Sequence, residues 1–447
     1  MDNLLLQSLI VTHKDRFLKD KDLISRDLLH DFDQYLHSRE VVFFSGIRRC
    51  GKSSLMSLIA RNILVNDLVK RENILFINFE DERFINFSVD DFDPLYQAYI
   101  QIDNPAGKKY LFFDEIQNIP FWERWINRLY EFEDVKIFIT GSNASLLGSS
   151  VSSALTGRNR QVRLHPFSFP EFIRSQGLTI NRKEMLLGEN ISAVKRAFNL
   201  YMHTGGFPEI VKNLDITLAD QYFKDIIYRD VISRYNIRNV KELKELCLYL
   251  ISNSGTLLSY ESLRKTIDAK NGTTIKNYLN ILQDVYMVES LSLYNFSVKK
   301  QIYNPDKYYI SDLGFYHSVG FKFSENIGNL LENIVFEQLT RLYPDIYYWK
   351  SSRGKEVDFV VRHQSSITHS FQVTYALSTE NRERELSGLE AITDELGNPE
   401  RYILTWDQEE TLNTDSGKIH VLPIWKWLIQ PPTSSPPSTP AISPLTP

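Results

Sequence analysis

Gly46-Ile47-Arg48-Arg49-Cys50-Gly51-Lys52-Ser53 fits the pattern G-x-x-x-x-G-K-[ST] at every fixed position. Each fixed residue answers a demand of phosphate binding. The glycines let backbone N–H groups curl around phosphate oxygens, a geometry that a side chain would obstruct. Lys52 brings a cation to the β- and γ-phosphates. The Ser53 hydroxyl can ligate Mg²⁺, and the N-terminus of a following helix adds its dipole. The flanks suit this. EVVFFS (40–45) is a β-branched and aromatic strand, and SSLMSLIARNILV (53–65) has a helical pattern. Gly46 through Ser53, with Ser54 at the start of the helix, are therefore assigned to the phosphates of a nucleotide.

Further apolar runs follow. ILFINF (74–79), YLFF (110–113) and VKIFIT (135–140) read as strands that alternate with helical stretches, which predicts an α/β fold with a parallel sheet covered on both faces. In such sheets ligands bind at the carboxyl ends of the strands. Leu111-Phe112-Phe113-Asp114-Glu115 places two acids there. Asp114 is expected to hold Mg²⁺, and Glu115 to orient and deprotonate an attacking water. The strand IFIT leads into Gly141-Ser142-Asn143, where Asn143 or Ser142 could sense a γ-phosphate. In Thr156-Gly157-Arg158-Asn159-Arg160, expected to be a loop, Arg158 or Arg160 could reach a neighbouring nucleotide and stabilise transition-state charge. The catalytic set on this reading is Glu115, Lys52, Asn143 and Arg158.

Composition narrows the class. At roughly 100–200 residues per domain, 447 residues predict several domains. Apolar residues at 43% and charged residues at 24% exclude a disordered or collagen-like body. The formal net charge of −5 argues against a uniformly basic coat for nucleic acid, so any such contact must be local. Two cysteines, Cys50 and Cys247, supply neither a disulfide framework nor a zinc ribbon. Cys50 inside the loop is a thiol whose oxidation would endanger nucleotide binding. No stretch reaches the roughly 18 apolar residues of a membrane helix, and a cytoplasmic location is expected. The stretch PPTSSPPSTPAISPLTP (431–447) reads as a disordered tail.

GIRRCGKSS, LFFDEIQNIPFW, TGSNASLL and LTGRNRQVRLHPFSFPEF, in this order, resemble the prokaryotic AAA+ ATPases that carry a C-terminal domain of unknown function. YMHTGGFPEIV, DVISRYNIRN and GKEVDFVV resemble that family as well, so the likeness runs from about residue 20 to 428. It implies an AAA+ nucleotide-hydrolysing module over residues 1–165, with ATP as the nucleotide, and a helical, lid-like segment over 166–240.

In TTIKNYLNIL (273–282) the residues Ile275, Tyr278, Leu279 and Leu282 recur at helical spacing and make one buried face. Lys276, Asn277, Asn280 and Gln283 lie opposite. With a preceding helix over 259–267 and a β-wing around Lys299-Lys300, residues 241–322 read as a winged-helix region that is open to DNA or to a protein partner. Residues 323–430 resemble the restriction-endonuclease-like fold, with Glu332 on a helix and Asp358 on a strand. Gln372 and Thr374 stand where that pattern has a second carboxylate and a lysine, which makes the site degenerate. Lys350 or Lys355 could reach in from another strand. His363 and His369 are expected in a loop.

The sequence thus predicts a Mg²⁺-dependent ATP-hydrolysing protein that couples nucleotide state to a winged-helix and nuclease-like C-terminal region. Its partners are ATP, DNA through the winged helix, protein partners of unstated kind or further copies of itself, and no membrane. Two alternatives stay open: a low-turnover nucleotide-gated switch or scaffold, and an ATP-dependent DNA-processing nuclease.

Overall fold

The computed structural model describes residues 1–19, 22–30, 32–66, 68–143, 155, 157–178, 188–320 and 327–431. The Ser-rich stretch after Asn143 and the Pro-rich tail beyond 431 lie outside the described residues. The chain forms two compact units. The first takes in the described residues of 1–179, 204–241 and 276–287, and the second those of 180–203, 242–275 and 288–447.

The first unit is built on a five-stranded parallel sheet in the order β2-β3-β4-β1-β5. The strands are β1 (Val41–Ser45), β2 (Ile74–Asn78), β3 (Lys109–Asp114), β4 (Val135–Gly141) and β5 (Asn159–Arg163). β1 and β4 are buried along their whole length, which is why they read as continuous apolar runs. The helix Asn3–Leu18 puts Leu6, Leu9 and Ile10 into the core beside β2. An aromatic group in which Phe92 stacks on Trp125 at 4.4 Å closes that face of the sheet. β5 corrects the sequence reading. Arg160 lies not in a loop but on an edge strand that pairs with β1 (Val42 opposite Arg160), and Arg158 immediately precedes it. The strand is short and polar (NRQVR) and so carries no apolar signature.

Beyond the sheet, the helix Thr217–Asp225 continues as a π-helix over Ile226–Ser233.

The second unit holds two sheets. β6 (Leu257–Leu258), β7 (Val288–Leu291) and β8 (Asp306–Ile310) form an antiparallel sheet in the order β6-β8-β7. The helices Tyr260–Thr266 and Gly272–Asp284 follow β6 in the chain, the second of them belonging from Lys276 onward to the first unit. Ile275, Tyr278, Leu279 and Leu282 are buried, whereas Lys276, Asn277 and Asn280 are exposed, as the periodicity requires. Lys299 and Lys300 are not on a β-wing. They sit on a short helix, Val298–Tyr303, capped by the Ser297 hydroxyl, because Ser297 competes for the Lys300 amide that a strand pairing would use.

The larger sheet runs β13-β14-β12-β11-β10-β9. Its strands are β9 (Ile346–Lys350), β10 (Glu356–His363), β11 (Ser366–Val373), β12 (Glu400–Thr405), β13 (Glu410–Thr414) and β14 (Gly417–Pro423). β11, β12 and β14 are parallel, and the other pairings are antiparallel. The helix Ile327–Leu342 packs here, with Phe336 stacked on Tyr309 of β8 at 4.0 Å. His363 and His369 are strand residues rather than loop residues, joined by the tight β10–β11 hairpin that turns at Gln364 with φ +55°.

Candidate functional site

β1 ends at Ser45, and the chain then turns through Gly46–Gly51 into the helix Lys52–Val65. Gly46 has φ +145°, and a Cβ on it would lie 2.1 Å from the Leu164 carbonyl oxygen. Only glycine fits both the backbone and the space. Gly51, at φ +100°, is the last residue before the helix. The Lys52 ammonium is buried and donates to the carbonyl oxygens of Gly46 (2.9 Å) and Ile47 (3.2 Å), so it lies within the curl of the loop. Cys50 is fully buried, which shields the thiol.

Strand order brings the expected acids to this loop. β4 lies between β1 and β3, and all three are parallel, so their carboxyl ends share one edge. The Ser53 hydroxyl donates to Asp114 Oδ2 at 2.6 Å. The Thr140 hydroxyl at the end of β4 donates to Asp114 Oδ1 and accepts the Glu115 amide at 3.0 Å. Glu115 has φ +52°, a left-handed conformation rare outside glycine, of the kind found where a site holds the backbone under strain. Gln117 Nε2 donates to Glu115 Oε2. Burial raises the pKa of both carboxyls. The hydroxyls of Ser53 and Thr140 oppose the shift at Asp114, and the Lys52 charge opposes it at Glu115.

Asn143 is fully buried and its Nδ2 donates to the Tyr235 hydroxyl at 2.7 Å. The Ser142 hydroxyl is buried and makes no hydrogen bond among the described residues. Arg158 bonds Asn127 and pairs with Glu131 at 2.6 Å, and Arg160 stacks over Tyr35 at 4.6 Å. Both arginines are thus engaged within their own unit.

Three more side chains complete the region: Arg48 of the loop itself, and Arg26 and Thr140, which the sequence did not single out. Arg26, 3% exposed, donates to Glu171 (2.9 Å), to the Cys50 carbonyl (3.0 Å) and to the His165 carbonyl (2.7 Å), tying the loop to two later segments. Arg48 takes Asp230 from the π-helix and Glu80 from beyond β2. Burial works to lower the Arg48 pKa, but the bonds to Asp230 more than reverse this and hold the guanidinium charged. Thr140 had no signal beyond its place at a strand end. The partners of Arg26 and Arg48 are 24 to 182 residues away in the chain, which no local pattern reveals.

Beside the loop lies a cavity of about 490 Å³. Leu23, Ile24, Pro208 and Val211 supply apolar walls, Gly51 and Ser54 form the loop side, and Arg26 contributes charge.

The second unit has its own cluster of charged side chains. Lys307 on β8, 4% exposed, directs its ammonium at Glu332 Oε1 (3.0 Å), Glu356 Oε1 (3.1 Å) and Asp358 Oδ1 (3.1 Å). Tyr309 donates to Glu332 at 2.6 Å, and Lys350 pairs with Glu356 at 3.1 Å. Burial alone would lower the Lys307 pKa, but the three carboxylates raise it on balance. Glu332 is pushed up to about 7 by burial and by the Asp358 charge. The structure thus brings Glu332 and Asp358 together as the pattern required. Thr374 is turned to the Ala376 carbonyl and to Asn381. The Gln372 Oε1 is buried and has no hydrogen-bond partner among the described residues. Lys307, on β8, lies outside the pattern that the sequence offered. Glu356, two residues before Asp358 in GKEVD, was the one readable clue that was missed.

Comparison with known proteins accords with this geometry. The profile of an AAA domain matches residues 38–173, and two domains of unknown function, DUF8612 and DUF4143, match 195–326 and 327–427. The chain is 31% identical over 426 residues to an uncharacterized protein, MJ1544, of Methanocaldococcus jannaschii, covering 92% of each. It is 29% identical over 421 residues to an uncharacterized protein of Haemophilus influenzae, covering 92% of this chain and 100% of that one. Among solved structures, the Aeropyrum pernix Orc1 protein in complex with DNA matches at 12% identity and TM-score 0.29, covering 68% of this chain and 96% of that one. The Saccharomyces cerevisiae Hsp104–ADP complex matches at 14% identity and TM-score 0.33, covering 63% and 41%. At such scores these two likenesses carry no argument. No helix among the described residues is long and apolar enough to cross a membrane. With the phosphate loop, the parallel sheet and the profile match in agreement, the chain belongs to the AAA+ P-loop ATPases that carry C-terminal domains of unknown function.

Proposed function

We propose that the first unit binds ATP with Mg²⁺ and hydrolyses it, and that its nucleotide state governs the winged-helix-like and nuclease-like parts of the chain. The observation that carries this reading is the Ser53–Asp114 hydrogen bond of 2.6 Å, with Glu115 next in the chain. A hydroxyl and a carboxylate at that spacing are hard oxygen donors of the kind Mg²⁺ takes. When bound, Mg²⁺ neutralises charge on the β- and γ-phosphates. Lys52 would trade the carbonyls of Gly46 and Ile47 for phosphate oxygens. The orphaned Ser142 hydroxyl would gain a partner there. Glu115 would take the proton of the attacking water, and its raised pKa makes it a better base. The cavity beside Gly51 and Ser54, with its apolar walls, suits the base and ribose.

DNA contact through the exposed Lys276, Asn277 and Asn280, and a ring or dimer in which Arg158 acts in trans, belong to the same proposal. The nuclease alternative is disfavoured by Lys307, because a divalent cation would have to displace a buried ammonium from Glu332, Glu356 and Asp358. The test is nucleotide binding and steady-state phosphate release by the full chain, with and without DNA and Mg²⁺, beside Lys52→Ala. Turnover that needs Mg²⁺ and is lost with Lys52 supports the proposal. Binding without turnover under every condition moves the protein to the switch or scaffold alternative.

A further inference from the structure

Two side chains at the phosphate end of the site are held by a single segment that the hydrolytic reading leaves unused. Asp230, 2% exposed, lies on the π-helix Ile226–Ser233. It takes Arg48 of the phosphate loop by a two-point bond, Nε to Oδ2 at 2.9 Å and Nη2 to Oδ1 at 3.2 Å. Five residues on, the Tyr235 hydroxyl accepts from Asn143 Nδ2 at 2.7 Å and donates to Asp284 Oδ2 at 3.2 Å. Arg48 follows β1 and Asn143 follows β4, and these strands are neighbours in the sheet. One stretch of chain therefore grips the ends of two adjacent strands.

The winding of that stretch makes the double grip feasible. Residues five apart on an α-helix point about 140° away from each other. The i→i+5 bonding of the π-helix that carries Asp230 widens its turn and alters that angle, and Tyr235 follows two residues beyond its end at Ser233. Each grip also fixes an orientation. A two-point guanidinium–carboxylate bond sets the plane of Arg48 and leaves Nη1 for Glu80, at 3.1 Å. Because the phenol proton goes to Asp284, the Tyr235 oxygen is left as an acceptor, which decides which end of the Asn143 amide faces it.

We infer that Asp230 and Tyr235 are positioning residues for hydrolysis. Through Arg48 and Asn143 they set the groups around the γ-phosphate for the bond-breaking step while adding little to nucleotide affinity. This rests on the hydrolytic reading above. Small displacements of groups at a reacting centre cost rate far more than they cost ground-state binding. The Tyr235–Asp284 bond carries the same tie to the last residue of the helix Gly272–Asp284, whose exposed side bears Lys276 and Asn277.

The test compares Asp230→Asn, Tyr235→Phe, Arg48→Ala and the Arg48→Ala/Asp230→Asn pair in the full chain. The readouts are kcat, KM, melting temperature, and Kd for ADP and for a non-hydrolysable ATP analogue. The expected result is a fall in kcat of about tenfold to a hundredfold in each single variant. Kd should stay near that of the parent protein in Asp230→Asn and Tyr235→Phe, whereas the melting temperature falls in the variants that break the buried Arg48–Asp230 pair. The double variant should be no slower than Arg48→Ala, because Asp230 acts through Arg48. Parental kcat in both Asp230→Asn and Tyr235→Phe overturns the inference. So does a loss of kcat matched by equally weakened nucleotide binding in Asp230→Asn and Tyr235→Phe, the signature of a purely structural role. Should the parent protein bind nucleotide without turnover, the hydrolytic reading fails and the positioning role falls with it, whereas parental turnover with unchanged variants overturns the positioning role alone.

Discussion

The Ser53 hydroxyl sits 2.6 Å from Asp114 Oδ2, although 61 residues separate them in the chain. One follows β1 and the other ends β3, with β4 between those strands in the sheet. Thr140 of β4 fills the gap by binding Asp114 Oδ1 and the Glu115 amide. The site is therefore a property of strand order, and its weak points are the places where that order is fastened to the loop.

Gly46 is one such place. Gly46→Ala adds a Cβ 2.1 Å from the Leu164 oxygen, in a backbone conformation that L residues avoid. The loop must shift, so nucleotide binding should be lost and the melting temperature lowered. Gly157→Ala makes the comparison, since nothing lies within 4 Å of the added atom although φ is +72°. It should cost about 1 kcal/mol from the backbone alone, which calorimetry resolves.

Arg26 is another. Arg26→Met leaves the Glu171 carboxylate buried without its charge partner and the Cys50 carbonyl without its donor. Breaking a buried pair from one side costs about 3–5 kcal/mol. Arg26→Met/Glu171→Leu should recover part of that loss in thermal melting while nucleotide affinity stays low, because the loop anchor is still missing.

The sequence made much of this site legible and hid the rest for physical reasons. Gly46–Ser53 and Asp114-Glu115 stand out because phosphate and metal chemistry restricts the residue types, and because buried parallel strands write themselves as VVFFS and LFF. β5 was invisible because an edge strand of Asn159–Arg163 pairs only with β1 and buries little. Arg26, Asp230 and Lys307 were hidden because charged residues are common in any chain. What distinguishes these is burial against partners brought together only by the fold. In the second unit, Glu332 and Asp358 were singled out by resemblance to a fold pattern that sets one acid on a helix and another on a strand. A lysine was sought on β9 or in the turn after it, whereas the ammonium that pairs with these acids belongs to Lys307 of β8.

Lys307 holds its unit together by charge. Lys307→Met removes the one ammonium in contact with Glu332, Glu356 and Asp358 together, so the carboxylates repel one another in a buried space. Stability should fall by several kcal/mol. Adding Glu332→Gln and Asp358→Asn to Lys307→Met should restore part of it. Denaturant titration of the full chain reads both steps.

Lys136 supplies a pH signature. It is fully buried on β4 and donates to the Ser38 carbonyl (2.9 Å), the Ser38 hydroxyl (3.0 Å) and the Glu40 carbonyl (2.7 Å). Burial nonetheless lowers its pKa from 10.5 to about 7. Between these two values the unfolded chain carries the proton and the folded chain does not, so stability rises with pH across that window. The penalty is fully present below about pH 7 and is gone above the unfolded pKa. In Lys136→Met the melting temperature should lose this part of its rise with pH, whereas an identical slope in both proteins would show that Lys136 stays charged when folded.

The most direct measurement of the account is phosphate release from ATP by the parent protein and by Glu115→Gln, with binding of a non-hydrolysable ATP analogue determined in parallel. Removing the base should slow release about a hundredfold or more while the analogue binds as before, since Lys52, Ser53 and Asp114 are untouched. Release by Glu115→Gln at the parental rate would contradict the assignment of Glu115 as the base, and with it the reading of this site as a hydrolytic one.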